Sequence, residues 1–216
     1  MYAQGVTWLE EAAYAGDAEA WFFLGHCYSW GDGAVGFNEK KAYECYLRGA
    51  SAGSARAVLG ALRAGQYDEQ MKQSARYSIE ESYRQVRDAA EMGDVYAAWQ
   101  MGEAVEWEDL ADYMPQTESA REQCLFWYER AADGGIIPAM VKMGKCCQNG
   151  TYREKDEKEA LRWANQCAAS GEVWGLFQMG EHYRQEEDWE VAFQYDYAAA
   201  KQGSFPRHAV SGSRCT

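Results

Sequence analysis

Proline is scarce in this chain. Pro115, Pro138 and Pro206 are the only three in 216 residues, so little stands in the way of long helices. Long apolar runs are missing as well, and none approaches the roughly 18 residues that a membrane span requires. Glu10 and Glu11 interrupt the opening stretch before it can read as a secretory signal, so the expected location is cytoplasmic, without membrane association. Positive charge is in deficit: 21 Lys and Arg face 34 Asp and Glu, a net charge of −13. That balance excludes the clustered cations of a nucleic-acid binder and suits a chain that attracts a basic partner. Histidine is down to His26, His182 and His208. Paired cysteine motifs are absent too. The seven cysteines (Cys27, Cys45, Cys124, Cys146, Cys147, Cys167 and Cys215) are odd in number and contain no C-x-x-C, so they read as reduced, buried thiols.

What the chain does have is a repeat. "GDAEAWFFLG" (16–25), "GDVYAAWQMG" (93–102), "GIIPAMVKMG" (135–144) and "GEVWGLFQMG" (171–180) each place two glycines nine residues apart, and "GSARAVLGAL" from Gly53 is a looser copy. The opening glycines fall at 16, 53, 93, 135, 171 and 203. Three residues before them stand Ala13, Ala50, Ala90, Ala132, Ala168 and Ala200, alanine in every copy. Four after come Ala20, Ala57, Ala97, Ala139 and Gly175. Small residues recurring at helical spacing mark a close helix crossing. Eight before the glycine lie Trp8, Cys45, Gln85, Trp127, Trp163 and Tyr195, a mostly aromatic column expected to wedge beside the crossing.

Each copy therefore reads as a helix pair, and a period of a few tens of residues means a solenoid. The first helix starts after the glycine, capped by Asp17, Ser54 or Asp94, and ends where Gly31, Gly33 or Gly150 can turn left-handed. The second helix covers stretches such as "EKKAYECYLRGA" and "DEKEALRWANQCA". The expected fold is all-α, a right-handed superhelix of helix-turn-helix units. Residues 1–203 form one domain of five repeats starting near 16, 53, 93, 135 and 171, preceded by an orphan helix, and 204–216 form a polar tail.

The pattern G-x-A-x-A-x-x-x-L-G-x-x-Y in "GDAEAWFFLGHCY", with K-A-x-x-C-Y-x-x-G-A in "KAYECYLRGA", resembles the Sel-one-like repeat, a relative of the tetratricopeptide repeat. The second copy loses the tyrosine, the third inserts "EWEDLADYMPQTESA", and the fifth has "RQEEDW" in place of the glycine loop. The resemblance implies an adaptor or scaffold that binds other proteins. Cysteine-rich relatives link neighbouring helices by disulfides, but their spacing is not reproduced here.

No phosphate-binding glycine loop, nucleophile elbow or His-Glu-x-x-His helix is present, so no catalytic residue, metal ligand or cofactor is assigned. Cys27 and Cys146 share one repeat column and read as packing. Of the acidic clusters, "EEDWE" reads as a solvated loop face, whereas Glu103, Glu106, Glu108, Asp109 and Asp112 interleave with Trp107 and Tyr113 in the 106–120 insertion. In helix-pair solenoids the first helices line the concave binding surface. Positions three, seven, ten and fourteen after each glycine form one stripe of that helix. The stripe supplies the candidate partner-binding residues: Phe23, His26 and Trp30; Tyr96, Gln100, Glu103 and Trp107; Trp174, Gln178 and Glu181. Glu19 belongs to the same stripe, as do Pro138, Lys142, Lys145 and Asn149 in the fourth copy. Phe23 and Trp174 have packing against a neighbouring repeat as their competing role. The expected function is binding of a protein or peptide, a basic one by charge, without catalysis. The alternative is an immunity protein that neutralises a basic bacterial toxin, and an enzyme ranks last.

Overall fold

A helix that must stop and reverse within three residues leaves its last carbonyls without partners. In the computed structural model, which describes residues 2–30, 35–107 and 120–201, one device solves this at every repeat boundary described. At Gly53 the backbone is left-handed, with φ 103°. Its N–H donates to the Ala50 carbonyl, and the Ser54 N–H donates to Gly49. The same pair of bonds recurs at Gly16, Gly93, Gly135 and Gly171, all with positive φ. This is the Schellman turn, and only glycine takes that φ without a side-chain clash. The opening glycine and the two small residues before it are thus one hydrogen-bonded unit.

Twelve helices are described, and no strand is present among the described residues. Helix α1 (Tyr2–Tyr14) is the orphan second helix. The pairs are then α2 (Ala18–Trp30) with α3 (Glu39–Ala52), and α4 (Ala55–Arg63) with α6 (Ile79–Glu91). They continue with α7 (Val95–Glu106) and α8 (Ala120–Asp133), α9 (Ile137–Asn149) and α10 (Glu157–Ala169), and α11 (Val173–Gln185) and α12 (Trp189–Lys201). A short extra helix, α5 (Glu69–Ser74), interrupts the second pair and accounts for its loose match to the pattern. The caps lie where expected: Asp17 accepts from the Glu19 and Ala20 N–H groups, Ser54 from Ala57 and Asp94 from Ala97. Glu172 caps α11 in the same way, although nothing in its residue type announced it. Gly150 ends α9 left-handed, while Gly31 and Gly33 lie outside the described residues.

The chain packs as two compact units, Met1–Cys124 and Leu125–Thr216. In the first, α2 and α4 touch directly, α4 touches α7, and second helices α3 and α6 back them. Ala57, Ala97, Ala42, Ala50 and Ala90 are all at 0% exposure. In the second, α9, α10, α11 and α12 pack in sequence, each against the next. Backbone meets backbone closely at Gly175. A Cβ there would stand 2.4 Å from the Ala168 nitrogen and 2.6 Å from the Ala164 carbonyl oxygen, with no flexible atom to give way. The column eight residues after the glycine (Leu24, Ala61, Met101, Met143 and Met179) is buried throughout. The aromatic column departs from expectation at two places. Cys45, Trp127 and Trp163 are buried, but Trp8 is 61% exposed and Gln85 faces solvent. Trp8 is on α1, for which α2 is the main neighbour.

Gly175→Ala is expected to lower stability by about 1–3 kcal/mol through overpacking. Gly5→Ala, on α1 with nothing within 4 Å of the added Cβ, is expected to leave stability unchanged or raise it by up to about 1 kcal/mol. Urea midpoints of the two variants check the contrast.

Candidate functional site

The described stripe residues of the first unit converge on one face formed by α2, α4 and α7. Its organising group is Arg56 on α4, three residues after Gly53. The guanidinium pairs with Glu19 of α2 (Nε to Oε2, 3.4 Å) and with Asp94 at the start of α7. The Arg56 carbonyl accepts a hydrogen bond from Gln100 Nε2 at 3.0 Å. One residue therefore ties together three helices. Asp94 has two tasks, because its Oδ1 caps α7 while its Oδ2 meets Arg56.

One turn along, the Phe23 ring meets the Tyr96 ring edge-on, with centroids 5.3 Å apart. Tyr46 of α3 slides its ring between Gly25 and Gly60, where an added Cβ would fall 2.6 Å and 2.7 Å from ring carbons. Its hydroxyl accepts from Ser29, and burial pushes its pKa well above the ordinary phenol range. The next turn opens a small cleft of about 40 Å³, walled by Phe22, His26, Arg63, Trp99, Gln100 and Glu103. It has room for two or three waters or the tip of one side chain. Gln100 is 8% exposed, and its Oε1 is buried without a hydrogen-bond partner among the described residues. At the far end the Arg63 guanidinium lies over the Trp107 ring, 4.5 Å from its centroid.

Of the sequence candidates, Phe23, His26, Tyr96, Gln100, Glu103 and Trp107 thus gather on this face. Tyr96 and Trp107 stay exposed, at 50% and 57%. The side chain of Trp30 lies outside the described residues, and so does most of the 106–120 insertion, including Tyr113. In the second unit the candidates make internal contacts. Trp174 is half-buried with its ring against Gly144, Gln178 accepts from Gln148 at 2.8 Å, and Glu181 pairs with Arg184, which also holds Asp196. Trp174 thus serves packing. Arg56, Gly60 and Arg63, which stand three, seven and ten residues after Gly53, were not among the sequence candidates. The loose fit of the second copy hid them, although counting from its glycine would have found all three.

Among the described residues no three His, Cys, Asp or Glu side chains gather into a metal-binding group. Cys45, Cys147 and Cys167 are poor nucleophiles where they lie, because burial raises the thiol pKa to about 11 at Cys45 and about 12 at Cys167, and raises that of Cys147 as well. Among the described residues no helix is long and apolar enough to cross a membrane.

The sequence model of the Sel1 repeat matches residues 2–17, 18–54, 95–136 and 137–172. The chain belongs to the Sel1 repeat family. The unmatched stretch between 54 and 95 contains α5 and the short α4, which is where the repeat departs from its pattern. Among solved structures, a protective antigen of uropathogenic Escherichia coli strains with an SLR fold aligns over 94% of this chain at 23% identity, with a TM-score of 0.55. This chain spans 42% of that antigen's length. Pseudomonas aeruginosa PA5086 aligns over 91% of this chain and 72% of its own, at 16% identity and a TM-score of 0.52. A Sel1 repeat protein from Oxalobacter formigenes aligns over 94% of this chain and 78% of its own, at 23% identity and a TM-score of 0.48. No curated protein matches the sequence. Sel1 repeat proteins are in general protein-interaction scaffolds, typically without catalysis, and protein binding is the class of function this fold serves.

Because the Cys45, Cys147 and Cys167 thiols are held protonated at neutral pH, brief alkylation at pH 7.5 is expected to spare them. The half-buried Cys27 should react before them. Intact-mass analysis should show seven adducts only once the chain is unfolded in denaturant.

Proposed function

We propose that this Sel1 repeat protein holds a basic, extended segment of a partner protein across the face of α2, α4 and α7. The observation that carries the reading is the spacing on α7. Tyr96, Gln100, Glu103 and Trp107 follow one another at intervals of four, three and four, so they share one face of the helix. The two exposed rings stand three turns, about 16 Å, apart. Each is braced from behind, Tyr96 by the Phe23 edge and Trp107 by the Arg63 guanidinium, so little side-chain entropy is lost when a partner covers it. Between the rings lies the cleft with the Gln100 acceptor and the Glu103 carboxylate. An extended peptide rises about 3.3 Å per residue, so about five residues bridge the rings. A cationic side chain at the middle of that span would face Gln100 and Glu103. The net charge of −13 favours a basic partner by speeding encounter.

The test is affinity purification of the tagged full chain from its host, with wild type, Tyr96→Ala and Trp107→Ala in parallel. One co-purifying protein should be retained by wild type and lost with both variants, whose helicity stays unchanged. Each truncation should weaken affinity about thirty-fold in calorimetry, an anchor's worth of about 2 kcal/mol. Association should slow as salt rises. Equal retention by both variants, with loss on Arg162→Glu in α10, would move the site off this face.

A further inference from the structure

Trp189, Phe193 and Tyr197 lie four residues apart on α12, so they line one face of that helix, and all three are exposed, at 65%, 67% and 55%. Lys201, four residues further, sits on the same face with its ammonium 4.6 Å from the Tyr197 centroid. The opposite face is spent: Ala192 and Ala199 are buried, and Asp196 pairs with Arg184 of α11. Phe193 and Tyr197 stack nearly parallel, with centroids 6.3 Å apart, so the rings already form a continuous surface.

The four second helices α3, α6, α8 and α10 do not have this face. Fourteen residues before the repeat glycine they carry Glu39, Ile79, Arg121 and Glu157, where α12 has Trp189. Six before it they carry Leu47, Arg87, Glu129 and Asn165, where α12 has Tyr197. The column between is apolar in every copy (Tyr43, Tyr83, Leu125 and Leu161). Those four are buried or half-buried, whereas Phe193 is open. Two columns that are mostly polar elsewhere have become aromatic on the one helix whose apolar column is uncovered.

We infer that α12 is the surface through which two copies of this chain pair antiparallel, with Phe193 on the two-fold axis. The register is self-complementary, as a two-fold interface requires. Turning the stripe about Phe193 sets Trp189 against Tyr197 of the second copy and Phe193 against itself. Charge follows the same symmetry. Glu186, Glu187 and Asp188, all exposed, precede the stripe, and Lys201 ends it, so each lysine meets the other copy's acidic turn. A parallel arrangement would set like charges side by side. The pairing uses the second unit alone and is independent of the face on α2, α4 and α7.

Sedimentation of the full chain over a concentration series from about 1 to a few hundred micromolar tests it. The expected result is a shift from the 24.4 kDa monomer to twice that mass. Phe193→Glu should weaken association on the order of a thousandfold, since each copy loses an anchor worth at least about 2 kcal/mol. Circular dichroism should be unchanged. Phe37→Glu, at a 70% exposed aromatic outside α12, should leave the dimer intact. Lys201→Glu should weaken it, and mixing Lys201→Glu chains with Glu187→Lys chains should restore it. A chain that stays monomeric throughout, or a dimer that survives Phe193→Glu, overturns the inference. Dimerisation only after truncation behind Lys201 would also overturn it, by assigning the face to the chain's own last fifteen residues.

Discussion

Everything described here depends on how closely the backbones of consecutive helices approach. The two small residues before each repeat glycine do two jobs at once. Their carbonyls accept the bonds that close the left-handed turn, and their lack of bulk lets the next helix lie against them. A larger residue at Gly49 would strike Ala57 of the next helix, at 2.8 Å from its Cβ. Turn and crossing cannot be changed separately, which is why the columns recur so strictly while the rest of the sequence drifts.

The candidate site is a by-product of that closeness. Tyr46 reaches between α2 and α4 only because Gly25 and Gly60 leave its ring a slot, and its buried ring then forms the floor under Phe22 and the cleft. Arg56 bridges three helices only because they are near enough for one side chain to touch both neighbours. The shape of this face is thus borrowed from the packing behind it. The second unit spends the same stripe positions differently, since Trp174 fills the gap above Gly144 and Glu181 is drawn into a network with Arg184 and Asp196.

The fold was legible in the sequence because it is written in residues that admit few alternatives. A glycine at positive φ and an alanine at a helix crossing each tolerate almost nothing else, and repetition multiplies the signal. Asp17, Ser54 and Asp94 were readable as caps for the same reason. The site was readable only in part. Counting along the stripe found Tyr96, Gln100 and Glu103. It could not say that Phe23 would brace Tyr96 whereas Trp174 would turn inward, because the deciding partner is on another helix each time. Arg56 and Arg63 were passed over because the repeat holding them is the one distorted by α5, so its pattern looked weak where its contacts are strong. The aromatic face of α12 is visible in the letters at four-residue spacing, yet only the exposure of Phe193 separates it from a buried column.

Asp94 carries a further consequence. One carboxylate oxygen fixes where α7 begins, and the other fixes α7 to Arg56. The two constraints together set the rotational phase of the helix relative to its neighbour. A slip of one residue in the start would turn every side chain of α7 by about 100° about the axis. Tyr96, Gln100, Glu103 and Trp107 would then leave the face as a group. The direction in which this protein presents the candidate residues of α7 is thus clocked by a single aspartate that is not itself one of them.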